Sequence, residues 1–200
     1  MLDAALIKEC TDPSLKPVVV EQFVQAVGAD DPFAVTVKSG GRMILVPKPA
    51  TAEDAIEIVR KNVEHSVVRV GLTQLPADIG FATESDLKPE FLEPCHNLRV
   101  GTGMFAKILR IVARWYGNPT SEEVFPQLFD DAVHAWQTGE FEGENVFRAE
   151  DPGGSVIQSD AQASDETGNK REPSAHLSER VAEPDNAGIR IDLTRIRGLE

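Results

Sequence analysis

The amino-acid composition changes abruptly after Glu150, and this change limits where a folded core can form. Residues 151–200 contain no Phe, Trp or Tyr and are dominated by Gly, Ser, Asp, Glu and Pro. A segment of this kind buries too little apolar surface to offset the entropy that it loses on ordering. We therefore expect the core within residues 1–150, a disordered acidic linker over residues 151–186, and a short interaction segment over residues 187–200.

The last segment differs from the linker because apolar and polar residues alternate in it. Ile189, Ile191 and Leu193 are separated by polar side chains, which is the pattern of a short strand. Such a strand can add to the sheet edge of a partner protein. The alternative is an unstructured end that carries a few apolar residues.

The first 150 residues carry mainly helical patterns. Between residues 33 and 46, two strand-like runs around Ser39-Gly40-Gly41 predict a small hairpin. Elsewhere apolar residues recur at helical spacing, and capping boxes, Gly and Pro mark several of the helix ends. The stretches with helical spacing are residues 14–27, 51–63, 97–116 and 120–136. The predicted fold class is mainly α, with one small β-hairpin and a disordered C-terminal tail.

The chain is strongly acidic, with a net charge of −13 at pH 7. Sequence-independent binding of nucleic acid needs clustered Lys and Arg, so we expect no direct nucleic-acid binding. No apolar run approaches the ~18–20 residues of a transmembrane helix, and the first ten residues lack the pattern of a signal peptide. These features predict a cytoplasmic protein. A true start further upstream, or an unconventional export route, would make it periplasmic.

Cys10 and Cys95 are the only two cysteines. In a reducing compartment they would be free thiols, whereas in the periplasm they could form a disulfide. Neither belongs to a set of His and Cys residues at zinc-binding spacing, and no calcium loop or phosphate loop occurs. The sequence predicts no metal and no cofactor.

Three local motifs occur in a definite order. Residues 27–35 end in Pro-Phe-Ala-Val, residues 71–74 read Gly-Leu-Thr-Gln, and residues 136–139 read Trp-Gln-Thr-Gly. A further feature, Glu-Pro-Cys-His-Asn-Leu over residues 93–98, opens the long helix between the second motif and the third. This order resembles the lytic transglycosylases of type IV secretion systems, which open the peptidoglycan wall. In those enzymes the motifs read Glu-Ser-x-x-Asn-Pro-x-Ala-Ile, Gly-Leu-x-Gln and Tyr-Asn-Thr-Gly. The resemblance implies a lysozyme-like domain over residues 1–150.

The resemblance also assigns a role to individual side chains. Gln74, Trp136 and Gln137 become candidates for lining a glycan cleft. Two of them have a structural alternative, because a glutamine amide can close a loop and a tryptophan at helical spacing usually belongs to the core. Both interpretations stay open at this point.

Val27 occupies the position at which those enzymes carry their catalytic glutamic acid. A valine cannot carry a proton, so the resemblance implies a cleft without its general acid. Asp30 and Asp31 are the nearest substitutes. An aspartate is shorter than a glutamate, however, and would be displaced by more than the ~1 Å that catalysis tolerates.

A second resemblance covers nearly the whole chain. It is carried by residues 3–10, 34–42, 115–120 and 188–193. On these residues the chain is identified as a member of the TraH conjugal-transfer family of Ti-type and related symbiotic plasmids. This resemblance implies a role in plasmid conjugation, with partners among the components of conjugation and type IV secretion.

Three functional hypotheses follow. The first is a catalytically inactive, lysozyme-like accessory protein of conjugation, a pseudoenzyme whose cleft binds peptidoglycan, a peptide or nothing. The second is an active lytic transglycosylase that uses Asp30 or Asp31. The third is a cytoplasmic adaptor that acts through its C-terminal segment. We prefer the first, because Val27 and the missing export signal both argue against activity.

Overall fold

The computed structural model describes residues 3–80 and 88–156. The chain divides into two units, Met1–Gln162 and Ala163–Glu200, and every described residue belongs to the first. Most of the predicted linker therefore lies outside the described residues. So does the predicted interaction segment with Ile189, Ile191 and Leu193.

In the described residues the chain forms six α-helices. Two 3-10 turns, Pro89–Leu92 and Glu122–Val124, precede the fifth and sixth helices. None of the described helices combines the length and the apolarity that crossing a bilayer requires. The helices are α1 (Ala4–Cys10), α2 (Pro17–Val27), α3 (Ala52–Asn62), α4 (Ala77–Gly80), α5 (Pro94–Trp115) and α6 (Phe125–Thr138).

The helix ends follow from local sequence. Helices α2 and α5 begin at Pro17 and Pro94, where a proline costs no intrahelical hydrogen bond. The Thr51 hydroxyl accepts a hydrogen bond from the Asp54 N–H and caps α3. Helix α6 ends at Thr138 and is followed by Gly139, whose φ of +86° lies in the left-handed region that glycine adopts without strain. The structure thus confirms the mainly helical prediction for these segments.

The structure contains the predicted hairpin, but this hairpin is part of a larger sheet than the sequence predicted. Its strands are β1 (Val35–Ser39) and β2 (Arg42–Ile44), but β1 also pairs with β3 (Val67–Val70). Strand β3 in turn pairs with β4 (Leu75–Pro76). The result is a four-stranded antiparallel sheet in the order β2-β1-β3-β4. Strands β1 and β3 lie on either side of α3 in the sequence. The sequence did not predict β3 as part of this sheet, because a four-residue strand is too short to show a clear alternation of apolar and polar residues.

A second hairpin, also not predicted, follows α6. Strands β5 (Glu140–Phe141) and β6 (Glu144–Asn145) pair antiparallel. Its turn residues Glu142 and Gly143 both have positive φ, +49° and +82°. This geometry is typical of a two-residue hairpin turn that matches the twist of its strands.

The core lies between the helices and one face of the sheet. The rings of Phe23 and Phe105 stack at 4.0 Å, and the Trp136 ring meets Phe23 edge-on at 5.0 Å. Val37 and Val68, which are paired across β1 and β3, are buried in the same core. Each buried aromatic ring contributes a large apolar area to the stability of the domain.

Candidate functional site

The first predicted motif begins where α2 ends. Val27 is the last residue of the helix, and the Gly28 N–H donates to the Val24 carbonyl at 2.8 Å. A Cβ added to Gly28 would lie 2.2 Å from the Leu72 carbonyl oxygen and 2.5 Å from that of Val24. The serine that follows the acid in the transglycosylase motif would therefore require a shift of the backbone here.

The Gly71–Gln74 turn between β3 and β4 packs directly against the end of α2. The Ala29 N–H donates to the Leu72 carbonyl at 3.2 Å, and the Gly71 N–H donates to the Ala34 carbonyl at 2.9 Å. Both hydrogen bonds join backbone atoms, so they depend on the backbone conformation and not on the side chains at these positions. The first two predicted motifs lie side by side.

Gln74 uses its side chain to close its own turn. Its Nε2 donates to the Gly71 carbonyl at 3.0 Å, and its backbone N–H donates to the same oxygen at 3.1 Å. The residue is buried and has a φ of +50°. This geometry supports the structural alternative for Gln74, because the amide that would face a glycan is turned inward.

Asn97, in the first turn of α5, is the centre of a buried hydrogen-bond network. Its Oδ1 accepts from the N–H and the hydroxyl of Thr73, each at 3.0 Å. Its Nδ2 donates to the carbonyls of Val70 at 3.2 Å and Phe91 at 3.3 Å. Because Asn97 is fully buried, these four bonds replace the water that its amide loses on folding.

Two glycines make room for this network because they have no side chain. A Cβ on Gly71 would lie 2.3 Å from Asn97 Nδ2, and a Cβ on Gly101 would lie 2.2 Å from Thr73 Oγ1. Gly71 also has a φ of +73°, which disfavours any other residue. The motif turn and α5 are in closer contact than side chains at these positions would permit.

Arg69 connects the motif turn to the third motif. Its Nη1 donates to the Gln74 carbonyl at 3.1 Å, and its Nη2 donates to the carbonyls of Trp136 at 2.6 Å and Gln137 at 3.1 Å. Desolvation by burial lowers the pKa of the Arg69 guanidinium, and the nearby Asp78 carboxylate opposes this effect. The bonds satisfy carbonyls at the end of α6, where a cation is favoured by the helix dipole.

Gln137 brings the third motif to the first. Its Nε2 lies 3.5 Å from the Ala26 carbonyl oxygen, one residue before Val27, and its side chain is exposed. The end of α2, the Gly71–Gln74 turn and the end of α6 therefore converge. We call these three segments the motif site.

Trp136 faces away from the motif site and into the core. It is fully buried, and its ring meets Phe23 at 5.0 Å, Phe147 at 5.4 Å and Phe105 at 6.3 Å. No face of the indole is open to solvent. This placement is that of a core residue, which is the alternative that the sequence left open, and the role of Trp136 in a glycan cleft stays a prediction.

The nearest carboxyl groups that follow Val27 in the sequence are those of Asp30 and Asp31. Asp31 Oδ1 accepts from the Phe33 N–H at 2.9 Å, and its Oδ2 lies 3.1 Å from Lys48 Nζ. The Phe33 hydrogen bond, followed by that of Lys48, lowers the pKa of Asp31, whereas a general acid needs a raised pKa. Asp30 is exposed to solvent. Val27 itself packs partly buried against the core.

A disulfide joins Cys10 and Cys95 next to the Gly71–Gln74 turn. It joins the end of α1 to the start of α5, and the two Cα atoms are 4.8 Å apart. Leu72 and Leu98 pack against the buried Cys10 side chain. Of the alternatives that the sequence left open, the structure contains the paired form. The bond links the helix that carries Asn97 to the segment before α2.

The comparisons with known proteins place the chain in a family. A family model described as TraH_2 matches residues 1–198. The chain belongs to the TraH_2 family. A Sinorhizobium fredii protein, described as the uncharacterized protein y4dP, is 57% identical to this TraH_2 chain over 199 residues, which is 99% of the chain and 100% of the relative. No solved structure matches it significantly.

The family match confirms one of the two sequence resemblances. It makes the TraH_2 chain a conjugal-transfer-associated protein, as the whole-chain resemblance implied. The relationship to lytic transglycosylases, and the lysozyme-like fold that it implied, stay predictions.

Two residues that organise the motif site of this TraH_2 protein, Arg69 and Asn97, are not among the predicted site residues. Signals for both exist in the sequence. Arg69 is the one charged residue in the otherwise apolar strand Val67–Val70, and Asn97 precedes the apolar stripe of α5. A polar residue in an apolar run is rarely buried unless it is hydrogen-bonded.

Proposed function

We propose that this TraH_2 protein is a non-catalytic accessory component of conjugal transfer, built on a lysozyme-like scaffold that has lost its acid. The position of Val27 carries the proposal. Val27 ends α2 at the convergence of the three motif segments, where a transglycosylase of this arrangement would carry its glutamate. An aliphatic side chain there can neither protonate a glycosidic oxygen nor act as a base.

The surrounding polar groups support the same proposal. Gln74 and Arg69 use their side chains to hold the backbone of the motif site together, and Trp136 is enclosed in the core. Of the predicted glycan-cleft residues, Gln137 alone presents an exposed side chain. The motif site is thus built for rigidity, which suits an adaptor or a binding module in a type IV secretion apparatus.

The competing hypothesis of an active transglycosylase receives little support. Asp31 has a lowered pKa because of Phe33 and Lys48, and it would be ionised at neutral pH when an acid must be protonated. Asp30 is exposed to solvent, outside the apolar core.

We further propose that the protein works in an oxidising compartment, on the periplasmic side of the cell. The Cys10–Cys95 disulfide supports this location, since disulfides persist outside the reducing cytosol. A periplasmic location would replace the cytoplasmic location that the sequence predicts.

The test of inactivity is peptidoglycan digestion by the purified full chain, with released muropeptides identified by mass. Wild type, an Asp30→Asn/Asp31→Asn double variant and Val27→Glu would be compared. We expect no anhydro-sugar products from wild type or from the double variant. Products from wild type that disappear in the double variant would overturn the proposal, and products from Val27→Glu alone would reveal an otherwise intact cleft.

The test of the conjugation role and of the location uses donor cells that lack the gene. Plasmid transfer should fall and should be restored equally by wild type and by the Asp30→Asn/Asp31→Asn variant. Thiol trapping with a maleimide reagent in the same cells should find Cys10 and Cys95 protected until a reductant is added. Free thiols in untreated cells would contradict an oxidising compartment.

A further inference from the structure

A groove with a volume of 660 Å³ lies along the C-terminal part of α5. Its sides are the β5–β6 hairpin and the chain at residues 149–152, and none of the predicted motif residues lines it. The volume is within the range of pockets that bind ligands. We call it the α5 groove.

The floor of the α5 groove is apolar and aromatic. Ile111, Trp115 and Phe141 line it, and the Trp115 ring meets Phe141 edge-on with the centroids 5.7 Å apart. Trp115 remains 57% exposed, and the neighbouring Tyr116 ring, 4.9 Å away, is also exposed. Exposed aromatic side chains that lie together on a folded surface are typical of interaction sites.

One wall of the groove is held in place by two cations of α5. Lys107 Nζ donates to the carbonyls of Phe147 at 2.8 Å and Ala149 at 2.9 Å, and Arg110 forms two hydrogen bonds with the Asp151 carboxylate. Both positive charges are therefore directed to the wall itself. The groove is preformed, so a ligand would not have to order this segment.

The rim of the groove is acidic. Glu142, Glu144 and Glu150 line it with exposed side chains, against a single lining cation, Arg114. In the part of the chain that the structure describes, none of these glutamates forms an ion pair. Glu142 lies at the tip of the β5–β6 turn with a φ of +49°, which the hairpin imposes on it. The excess of negative charge is thus fixed beside an apolar floor.

We propose that the α5 groove docks a basic, apolar peptide segment of a partner protein. Aliphatic side chains of the segment cover Trp115 and Phe141, while its Arg or Lys side chains approach the three glutamates. This charge pattern steers a cationic partner to the groove and repels polyanions such as nucleic acid. The inference goes beyond the proposed function because it concerns a surface outside the motif site.

The test measures binding of a fluorescein-labelled octapeptide that alternates isoleucine with arginine, by fluorescence anisotropy on the full chain. An octapeptide that alternates isoleucine with glutamate is the control ligand. We expect binding of the arginine peptide alone, and weaker binding as salt is raised from 50 to 300 mM, since exposed charges are screened.

Two variants locate the binding site. Glu142→Gln/Glu144→Gln should weaken binding of the arginine peptide by about three- to tenfold, in line with two exposed ion pairs. Glu9→Gln/Glu53→Gln changes the net charge equally at exposed positions on α1 and α3 and should leave binding unchanged. Trp115→Ala, verified as folded by circular dichroism, should abolish binding of the arginine peptide.

Several outcomes would overturn the proposal. These are no binding of the arginine peptide, equal binding of the glutamate peptide, or equal losses in both double-glutamine variants. Displacement of the peptide by a chito-oligosaccharide would assign the groove to a sugar instead. Because the readout is peptide binding, its failure is distinguishable from failure of the hydrolysis and transfer tests of the proposed function.

Discussion

The Asn97 side-chain oxygen accepts two hydrogen bonds from one residue, the N–H and the hydroxyl of Thr73, both at 3.0 Å. Both residues are fully buried. Since Asn97 belongs to α5 and Thr73 to the motif turn, the pair fixes the turn relative to the longest helix described.

Replacing Asn97 by alanine should destabilise the protein by about 2–4 kcal/mol. The substitution removes the hydrogen bonds that Asn97 makes to the buried Thr73 N–H and Val70 carbonyl, and each buried group left unsatisfied costs about 1–3 kcal/mol before relaxation. Urea unfolding followed by circular dichroism measures the change. Asn62→Ala is the matched control, because Asn62 makes one half-buried bond to the Ile58 carbonyl and should cost about 1 kcal/mol or less. Equal losses in the two variants would contradict the role of Asn97.

Two glycines in the same helix should respond in opposite directions to alanine. A Cβ at Gly101 would lie 2.2 Å from Thr73 Oγ1, whereas a Cβ at Gly103 would lie 3.4 Å from Asp12 Oδ2. We expect Gly101→Ala to lose about 1–3 kcal/mol through overpacking, and Gly103→Ala to gain up to about 1 kcal/mol of helix propensity. Thermal unfolding of both variants checks the pair. A stable Gly101→Ala protein would mean that the turn packs less closely against α5.

Loss of the disulfide should destabilise the folded protein by about 4 kcal/mol. Cys10 and Cys95 are 85 residues apart, and the stabilisation from closing a loop in the unfolded chain grows slowly with its length. The measurement is urea unfolding of wild type with and without dithiothreitol. The Cys10→Ser/Cys95→Ser variant should resemble reduced wild type and show no response to the reductant. A response in that variant would point to an effect of the reductant other than on this bond.

The carboxyl group of Asp31 should titrate below its usual range. The Phe33 N–H and the Lys48 ammonium both stabilise its charged form. Carbon NMR of the side-chain carboxyl should show a lowered pKa that rises only in part in Lys48→Ala, because the Phe33 bond remains. Lys61→Ala, which removes a cation paired with Glu57, should leave the Asp31 titration unchanged. A raised pKa would revive Asp31 as a general acid.

The same shift predicts how stability depends on pH. A carboxyl whose pKa is lowered by folding stabilises the protein fully above its unfolded pKa, about 3.9. That contribution disappears as the pH falls through the folded pKa of Asp31. Asp31→Asn should therefore be less stable than wild type at pH 6, and the difference should shrink at pH 3. Urea midpoints at the two pH values give the comparison, and a difference that is independent of pH would contradict it.

The spacing of apolar residues predicted those helices whose own sequence carries a long enough apolar repeat. In α5, Leu98, Phe105, Leu109 and Val112 recur at helical spacing, and all of them are buried. Helix α1 has seven residues, fewer than two full turns of apolar repeat, and was not predicted. The packing of α1 against its neighbours and the disulfide stabilise it, and neither is visible in its own sequence.

The candidate site could be predicted in part. The order of the motifs identified three segments, and the structure brings these segments together. The segments could be identified because each lies at the end of a helix or in a turn and has its own glycine. The orientation of their side chains could not be predicted, since it depends on non-local partners. Trp136 turns into an aromatic cluster and Gln74 closes its own loop. Arg69 reaches α6 across 67 positions of sequence.

The disulfide also divides the chain topologically. It closes residues 10–95 into one covalent ring that contains α2, the four-stranded sheet and the Gly71–Gln74 turn, while α6 with Gln137 lies outside the ring. A single protease cut inside the ring leaves both pieces joined, and they separate on a gel only after reduction. A cut beyond Cys95 releases a fragment at once. The mobility of each fragment before and after reduction thus reports which side of the motif site a protease has reached.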